Sequence, residues 1–235
     1  HQGLFKPGVF DEKFDIIVIL GVIEHLEHPV EFLKWVKDFL TDGGIIFFDV
    51  PNFKLNPVDL FIFDHLTHFT KETIMNLVHA SDLNILQITE FNDKLPLFCF
   101  CNNDGKKREI KNYFHLTNSL SKEHVKFNDS MFDSYKQVQN FDQYGVVGLG
   151  LMIWVAIQKE ILEKEKIFNF YDENEFFINK TKNGICVKNL NELNSLKNLP
   201  VIFSVNPCYV NNIKNKINIQ NVFFPDEFSY YVKYL

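Results

Sequence analysis

Arginine is almost missing from this chain. Arg108 is the only one among 24 basic residues, and lysine supplies the rest. One guanidinium leaves little scope for bidentate phosphate clamps, so any phosphate contact would rest on lysine, backbone amides and helix termini. Basic surface is scarce too: the net charge of −6 argues against general binding to nucleic acid or to a membrane surface, where a basic face should appear. No apolar run reaches the roughly 18 residues of a bilayer span, and no signal peptide is expected from these residues. A cytoplasmic protein is the expectation. Cysteine is sparse, with Cys99, Cys101, Cys186 and Cys208 in 235 residues. Cys99-x-Cys101 is too tight for the usual zinc pair, and the other two stand far apart without matching histidines. Buried free thiols are expected, and no metal.

What is present begins with Phe14–Asn52, FDIIVILGVIEHLEHPVEFLKWVKDFLTDGGIIFFDVPN. Asp15–Leu20 is a short apolar run, rich in β-branched residues and followed by Gly21, the pattern of a strand buried on both faces. His28-Pro29 opens an amphipathic helix with Val30, Leu33, Val36, Phe39 and Leu40 near helical spacing, and Pro29 suits its first turn. Asp42-Gly43-Gly44 should stop the helix, and Ile45–Val50 reads as a second buried strand. The unit is strand, helix, strand, the crossover of a parallel α/β sheet. After a loop containing Pro57 comes Asp64-His65-Leu66-Thr67-His68-Phe69, then a capping-box-like Thr70 to Thr73 before a helix over Lys71–Ala80. Leu83–Phe91 and Pro96–Cys101 read as two strands around a turn at Asn92-Asp93.

Two constellations carry chemistry. Glu24-His25, with His28, sits directly after a parallel strand, where ligands of open α/β sheets bind. It either lines a site or is a loop whose acid caps the helix at Pro29. A metal reading of Glu24-His25-x-x-His28 fails, because the histidines are spaced i,i+3 in a turn. Asp64-His65 sets a carboxylate beside an imidazole, a pair suited to pulling a proton off carbon or hydroxyl. The alternative is that His65 and His68 simply pack at a helix N-terminus.

These residues resemble the second half of a class I S-adenosylmethionine-dependent methyltransferase. In that family Phe-Asp-x-Ile followed by Glu-His after one strand, and Gly-Gly followed by Val-Pro-Asn on the next, recur. The stretch is similar in particular to the sugar C-methyltransferases, which carry a motif like Asp64-His65-x-x-His68-Phe69. The resemblance implies S-adenosylmethionine as cofactor, its methionine part near Leu20 and Gly21, with Glu24-His25 and His68 on the substrate side. It gives His65, supported by Asp64, the role of base forming an enolate beside a keto group. It also implies a nucleotide-linked sugar as substrate and a place in polysaccharide biosynthesis. Ile62 departs from the family, which often has tyrosine there.

A complete domain of this family needs an upstream Gly-rich turn for the cofactor and an acidic residue for its ribose. Neither precedes Asp15, so a fragment or a truncated gene is expected, with a possible partner in an upstream methyltransferase half.

Beyond a polar break at Asn102–Arg108, a mostly helical and polar connector of one or two helices runs to about Asn140. A second α/β unit follows. Tyr144–Gly150 is a strand running into a glycine turn, and helix Leu151–Glu165 leads to strand Ile167–Tyr171, ending at Asp172. Ile185–Val187, helix Leu190–Leu196, strand Pro200–Val205, helix Cys208–Lys216 and strand Asn221–Phe224 complete it. Gly145, Gly148 and Gly150, with Asp172 22 residues on, approximate a dinucleotide fingerprint, although the glycine order is wrong. They either hold NAD, contact a nucleotide-linked sugar as the resemblance suggests, or serve packing alone.

The fold class expected is thus α/β, a partial class I methyltransferase (Rossmann-like) sheet followed by a smaller Rossmann-like domain. The parts are residues 1–104, a connector at 105–140 and a second domain at 141–235. The leading function is S-adenosylmethionine-dependent methyl transfer to a carbanion or hydroxylate made by His65 on a nucleotide-linked sugar, C-methylation being the expectation. A non-catalytic remnant or subunit, and an NAD-dependent sugar-modifying oxidoreductase, are the alternatives.

Overall fold

The computed structural model describes residues 10–91, 96–219 and 222–223, the side chains of 114–115 and 207–208 excepted. The expected turn at Asn92-Asp93 lies outside them. The chain divides into two units, His1–Ser119 and Leu120–Leu235.

The first unit is a four-stranded sheet in the order β1-β2-β4-β3. Strand β1 (Phe14–Ile19) pairs parallel with β2 (Leu40–Pro51) across helix α1 (Pro29–Lys37). Strand β4 (Pro96–Asn102) runs antiparallel to both β2 and β3 (Asn84–Thr89), an antiparallel finish to the sheet. Pro29 stands in the first turn of α1, and helix α2 (Lys71–Ala80) begins with a reciprocal capping box between Thr70 and Thr73. Leu33 and Val36 of α1 join Ile74, Leu77 and Val78 of α2 over Ile46, Phe48, Val50, Leu97, Cys99 and Cys101 in one core cluster.

Two expectations change here. Strand β1 is not buried on both faces: Ile17 and Ile19 join the core, whereas Ile16 is 66% and Val18 55% exposed. An apolar run cannot by itself reveal that helices cover only one side of it. Nor does Asp42-Gly43-Gly44 stop the helix. Helix α1 ends at Lys37, and β2 already begins at Leu40. The three residues form a bulge, since the pairing jumps from Phe14 with Leu40 to Ile16 with Ile45. Gly43, at φ +79°, takes the left-handed conformation that the extra residues demand. Cys99 and Cys101 are buried free thiols, and the adjoining Cys101 side chain together with burial pushes the Cys99 thiol far above its ordinary range.

The second unit includes most of helix α3 (Phe114–Lys136). The expected connector is therefore no spacer. Phe127, Met131, Tyr135 and Val138 recur at helical spacing and are buried, and the Tyr135 hydroxyl donates to the Phe203 carbonyl at 3.2 Å. The sheet order is β10-β9-β5-β6-β8-β7. Its strands are β5 (Tyr144–Val147), β6 (Ile167–Asp172), β7 (Thr181–Lys182), β8 (Ile185–Asn189), β9 (Val201–Phe203) and β10 (Val222–Phe223). All pairings are parallel except that of β7 with β8.

Helix α4 (Leu151–Gln158) is shorter than expected. Glu160 at φ +56° closes it, and the Ile161 amide reaches back to the Ala156 carbonyl at 2.9 Å. Leu190–Ser195 is a 3₁₀ segment rather than an α-helix, and helix α5 covers Pro207–Lys214. Among the described residues no helix is long and apolar enough to cross a membrane.

Candidate active site

Parallel strands β1 and β2 present their carboxyl ends on the same edge of the sheet, and the loops that follow them build the site. After β1 the chain turns at Gly21, φ +59°, whose amide donates to Asp49 Oδ1 at 2.8 Å near the end of β2. A short 3₁₀ turn over Ile23–His25 then buries Glu24 and leaves His25 half exposed. The loop after β2 is pinned to the strand end by an Asn52–Phe69 bridge and by the Phe53 amide on the Phe69 carbonyl at 2.8 Å. The Thr67 amide donates to the Glu24 carbonyl at 3.2 Å, which fastens the two loops together. As a result the His25 and His65 rings meet edge to face, with centroids 4.8 Å apart.

The carboxylate behind His65 is not its sequence neighbour. Asp59, 1% exposed, accepts from His65 Nδ1 at 2.8 Å through Oδ1 and from His68 Nδ1 at 2.6 Å through Oδ2. Asn56 Nδ2 adds a bond to Oδ1 at 3.2 Å. Asp64 turns the other way: its main-chain carbonyl accepts from His25 Nδ1 at 2.9 Å, and its carboxylate lies 3.4 Å from the same nitrogen. The expected Asp64–His65 pair is therefore corrected to Asp59–His65, with Asp64 serving His25. Adjacent residues in an extended turn project apart, whereas the turn starting at Pro57 brings residue 59 back under 65 and 68. A signal existed: Asp59 is the only charge between Lys54 and Asp64, in a run that is otherwise apolar but for Asn56.

Carboxylates and carbonyls only accept, so His25 and His65 both donate from Nδ1. In the neutral ring that bonding leaves Nε2 as the acceptor nitrogen. Glu24 faces them, with Oε1 3.9 Å from His25 Nε2 and with Oε2 buried and lacking any hydrogen-bond partner. It does not cap α1, whose start has no side-chain cap. His28, the residue before α1, is exposed and outside the cluster. His68, held by Asp59, stacks on Phe53 with centroids 4.7 Å apart. Leu20, 57% exposed, and Gly21 line the open side of the turn.

In the second unit Gly148 and Asp172 come together in a cleft of about 220 Å³, with Val147, Tyr171, Val205 and Tyr209. Strands β6 and β9 flank β5 on opposite sides, so the cleft lies where the strand order reverses. The glycines, however, are filled by the protein itself. A Cβ on Gly148 would lie 2.4 Å from Val205 Cγ1, and one on Gly150 would lie 2.3 Å from the Ser204 carbonyl oxygen. A Cβ on Gly145 would lie 3.0 Å from the Tyr171 ring. Asp172 uses Oδ1 to accept from the Asn174 amide at 2.8 Å.

A curated relative, the tRNA U34 carboxymethyltransferase of Campylobacter curvus, is 48% identical over 40 residues, 17% of this chain and 13% of that protein. The matched stretch thus spans a small part of its length. Among solved structures, an S-adenosylmethionine-dependent methyltransferase from Clostridium acetobutylicum aligns over 41% of this chain and 61% of its own, at 14% identity and a TM-score of 0.35. A pericyclic reaction enzyme aligns over 38% and 26%, at 10% identity and 0.33. At those scores neither structural likeness carries an argument. The family described as "Methyltransferase domain" matches residues 2–88, so it is the stretch holding β1, β2, Glu24-His25 and His65 that bears a methyltransferase-domain signature.

Proposed function

We propose that this chain is the substrate-side portion of an S-adenosylmethionine-dependent methyltransferase that methylates carbon on a nucleotide-linked sugar, with His65 as the base. The observation that carries the reading is the His65–Asp59 pair, set beside His25 and Glu24 at the carboxyl end of β1, inside the stretch matched to the methyltransferase domain.

The cofactor's sulfonium supplies an activated methyl group. Leu20 and Gly21 offer it an open wall, because no side chain at Gly21 obstructs approach and Leu20 presents apolar surface. Among the described residues of the first unit no second glycine turn completes a cradle, and an upstream methyltransferase half is the partner this reading calls for. His65 Nε2 takes the proton from the carbon beside a keto group, and Asp59 holds the ring in the tautomer that leaves this nitrogen free. A bound cofactor would give its methyl group to that carbon, its sulfur keeping the electron pair of the broken bond. Proximity and exclusion of water supply much of the acceleration, since the methyl already sits on a good leaving group.

The tRNA substrate in the curated relative's name supports a competing acceptor, which the net charge of −6 and the single arginine disfavour. The test is a thermal shift with S-adenosylhomocysteine, since a ligand bound to the native state raises the melting point. A rise is expected; no shift at millimolar ligand would leave a non-catalytic remnant. A shift with NADH instead would favour the oxidoreductase. In the enzyme containing both halves, His65→Ala should abolish turnover and leave cofactor binding intact, and retained turnover would remove His65 from its role.

A further inference from the structure

Glu24, His25 and His65 each offer a ligand atom, and the three atoms lie within 4.8 Å of one another. Both imidazoles are oriented by acceptors on Nδ1, the Asp64 carbonyl for His25 and the Asp59 carboxylate for His65. With Nδ1 engaged in this way, Nε2 is the nitrogen that each neutral ring has open to a metal. Glu24 Oε2 supplies the independent observation. It is a carboxylate oxygen of a residue only 4% exposed, without a hydrogen-bond partner. A bare carboxylate oxygen taken out of water is costly, and a cation answers it directly.

We infer that this triad binds one divalent transition metal ion, zinc by its donor set. Two imidazole nitrogens and one carboxylate match the three-ligand zinc site with an open fourth position, whereas calcium and magnesium call for oxygens throughout. Zinc–ligand distances of about 2.0–2.2 Å place tetrahedral neighbours about 3.4 Å apart. The 3.9 Å from Glu24 Oε1 to His25 Nε2 is a small closure away from that. Asp59 is the outer carboxylate that fixes a ligating histidine in such sites. The Glu24-His25-x-x-His28 spacing points to the wrong third ligand: His28 is exposed, and the loops bring His65 instead. The inference rests on the cluster used for the methyltransferase reading and concerns its regulation. An Nε2 that holds zinc cannot accept a proton, so the metal keeps the base silent.

The test uses the full chain, stripped with a chelator and dialysed against zinc, with metal content measured by mass spectrometry and cobalt substitution read by absorbance. One zinc per chain is expected. Glu24→Gln and His65→Asn should each weaken uptake at least tenfold, and Asp59→Asn should weaken it about 10- to 100-fold. His28→Ala should leave it unchanged. Circular dichroism of each variant separates lost ligands from lost fold, and Glu24→Gln keeps the side chain's shape. No uptake, or uptake indifferent to Glu24→Gln, overturns the site. The S-adenosylhomocysteine shift is a separate readout. Its failure with zinc uptake retained removes the methyltransferase reading alone, and the converse removes the metal alone.

Discussion

The turn after β1 and the turn after β5 look alike in sequence, a strand running into glycine, yet they solve opposite problems. In the second unit Gly148 and Gly150 exist because the protein's own Ser204 and Val205 occupy the space where a side chain would go. In the first, nothing lies within 3.9 Å of where a Gly21 Cβ would stand, and the nearest atom is a Glu24 carboxylate oxygen. Beyond it lie two imidazole rings held at Nδ1 and a buried carboxylate oxygen without a hydrogen-bond partner. Glycine demanded by packing marks a scaffold. Polar groups gathered at a strand end and left unsatisfied mark a place where something else binds.

The contrast can be broken from either side. The largest effect expected is from Gly148→Ala. Its Cβ would overlap Val205, and the backbone sits at φ +87°, so overpacking and left-handed strain together should cost about 3 kcal/mol in urea unfolding. A stable variant that had merely lost a ligand would reverse its role. Asp59→Ala comes next, at about 2–3 kcal/mol, because it strands donors on His65, His68 and Asn56. Loss of the paired His65 and His68 imidazole signals in the NMR spectrum should accompany it.

Glu24→Gln should run the other way. Neutralising a buried acid without a hydrogen-bond partner on Oε2 should stabilise the chain by about 1 kcal/mol, measured as a shift in the urea midpoint at unchanged slope. Marked destabilisation would mean that Glu24 is a structural residue.

The smallest effect concerns Asp104, away from both turns. The Arg108 side chain, bonded to Asp104, holds that carboxyl down at about 2. Because the folded value is the lower one, the pair's contribution is present above about pH 4 and lost as pH falls through 2. Asp104 is exposed and Arg108 half-buried at the surface, where solvent screens the pair, so stability should barely move. Arg108→Gln should return the carboxyl toward 3.8 in an NMR titration, and a value fixed near 2 would shift the cause to the backbone.

Local chemistry was legible where it acts through neighbours in sequence. Pro29 at the start of α1, the Thr70–Thr73 box and the inward Ile74, Leu77 and Val78 all follow from spacing alone. What was hidden depends on tertiary company. The run Ile16–Ile19 cannot say which of its faces a helix covers, and α3 looked polar because its buried Phe127, Met131 and Tyr135 are diluted among solvent-facing residues. Some signals were there to be read. Asn183-Gly184, with φ of +50° and +83°, is the hairpin turn that creates β7 and β8. At the site, the residue types were visible but their partners were not. Asp64 stands beside His65 in sequence, and Asp59 beside it in space.

Everything assigned to the first turn depends on which nitrogen of His25 and His65 carries the proton. Long-range ¹H–¹⁵N NMR of the imidazoles at a pH where both rings are neutral reads this directly. Both rings should carry hydrogen on Nδ1, with Nε2 unprotonated, and both Nε2 signals should move on adding zinc. Hydrogen on Nε2 of either ring would contradict the arrangement, since neither a base nor a metal ligand would then face Glu24.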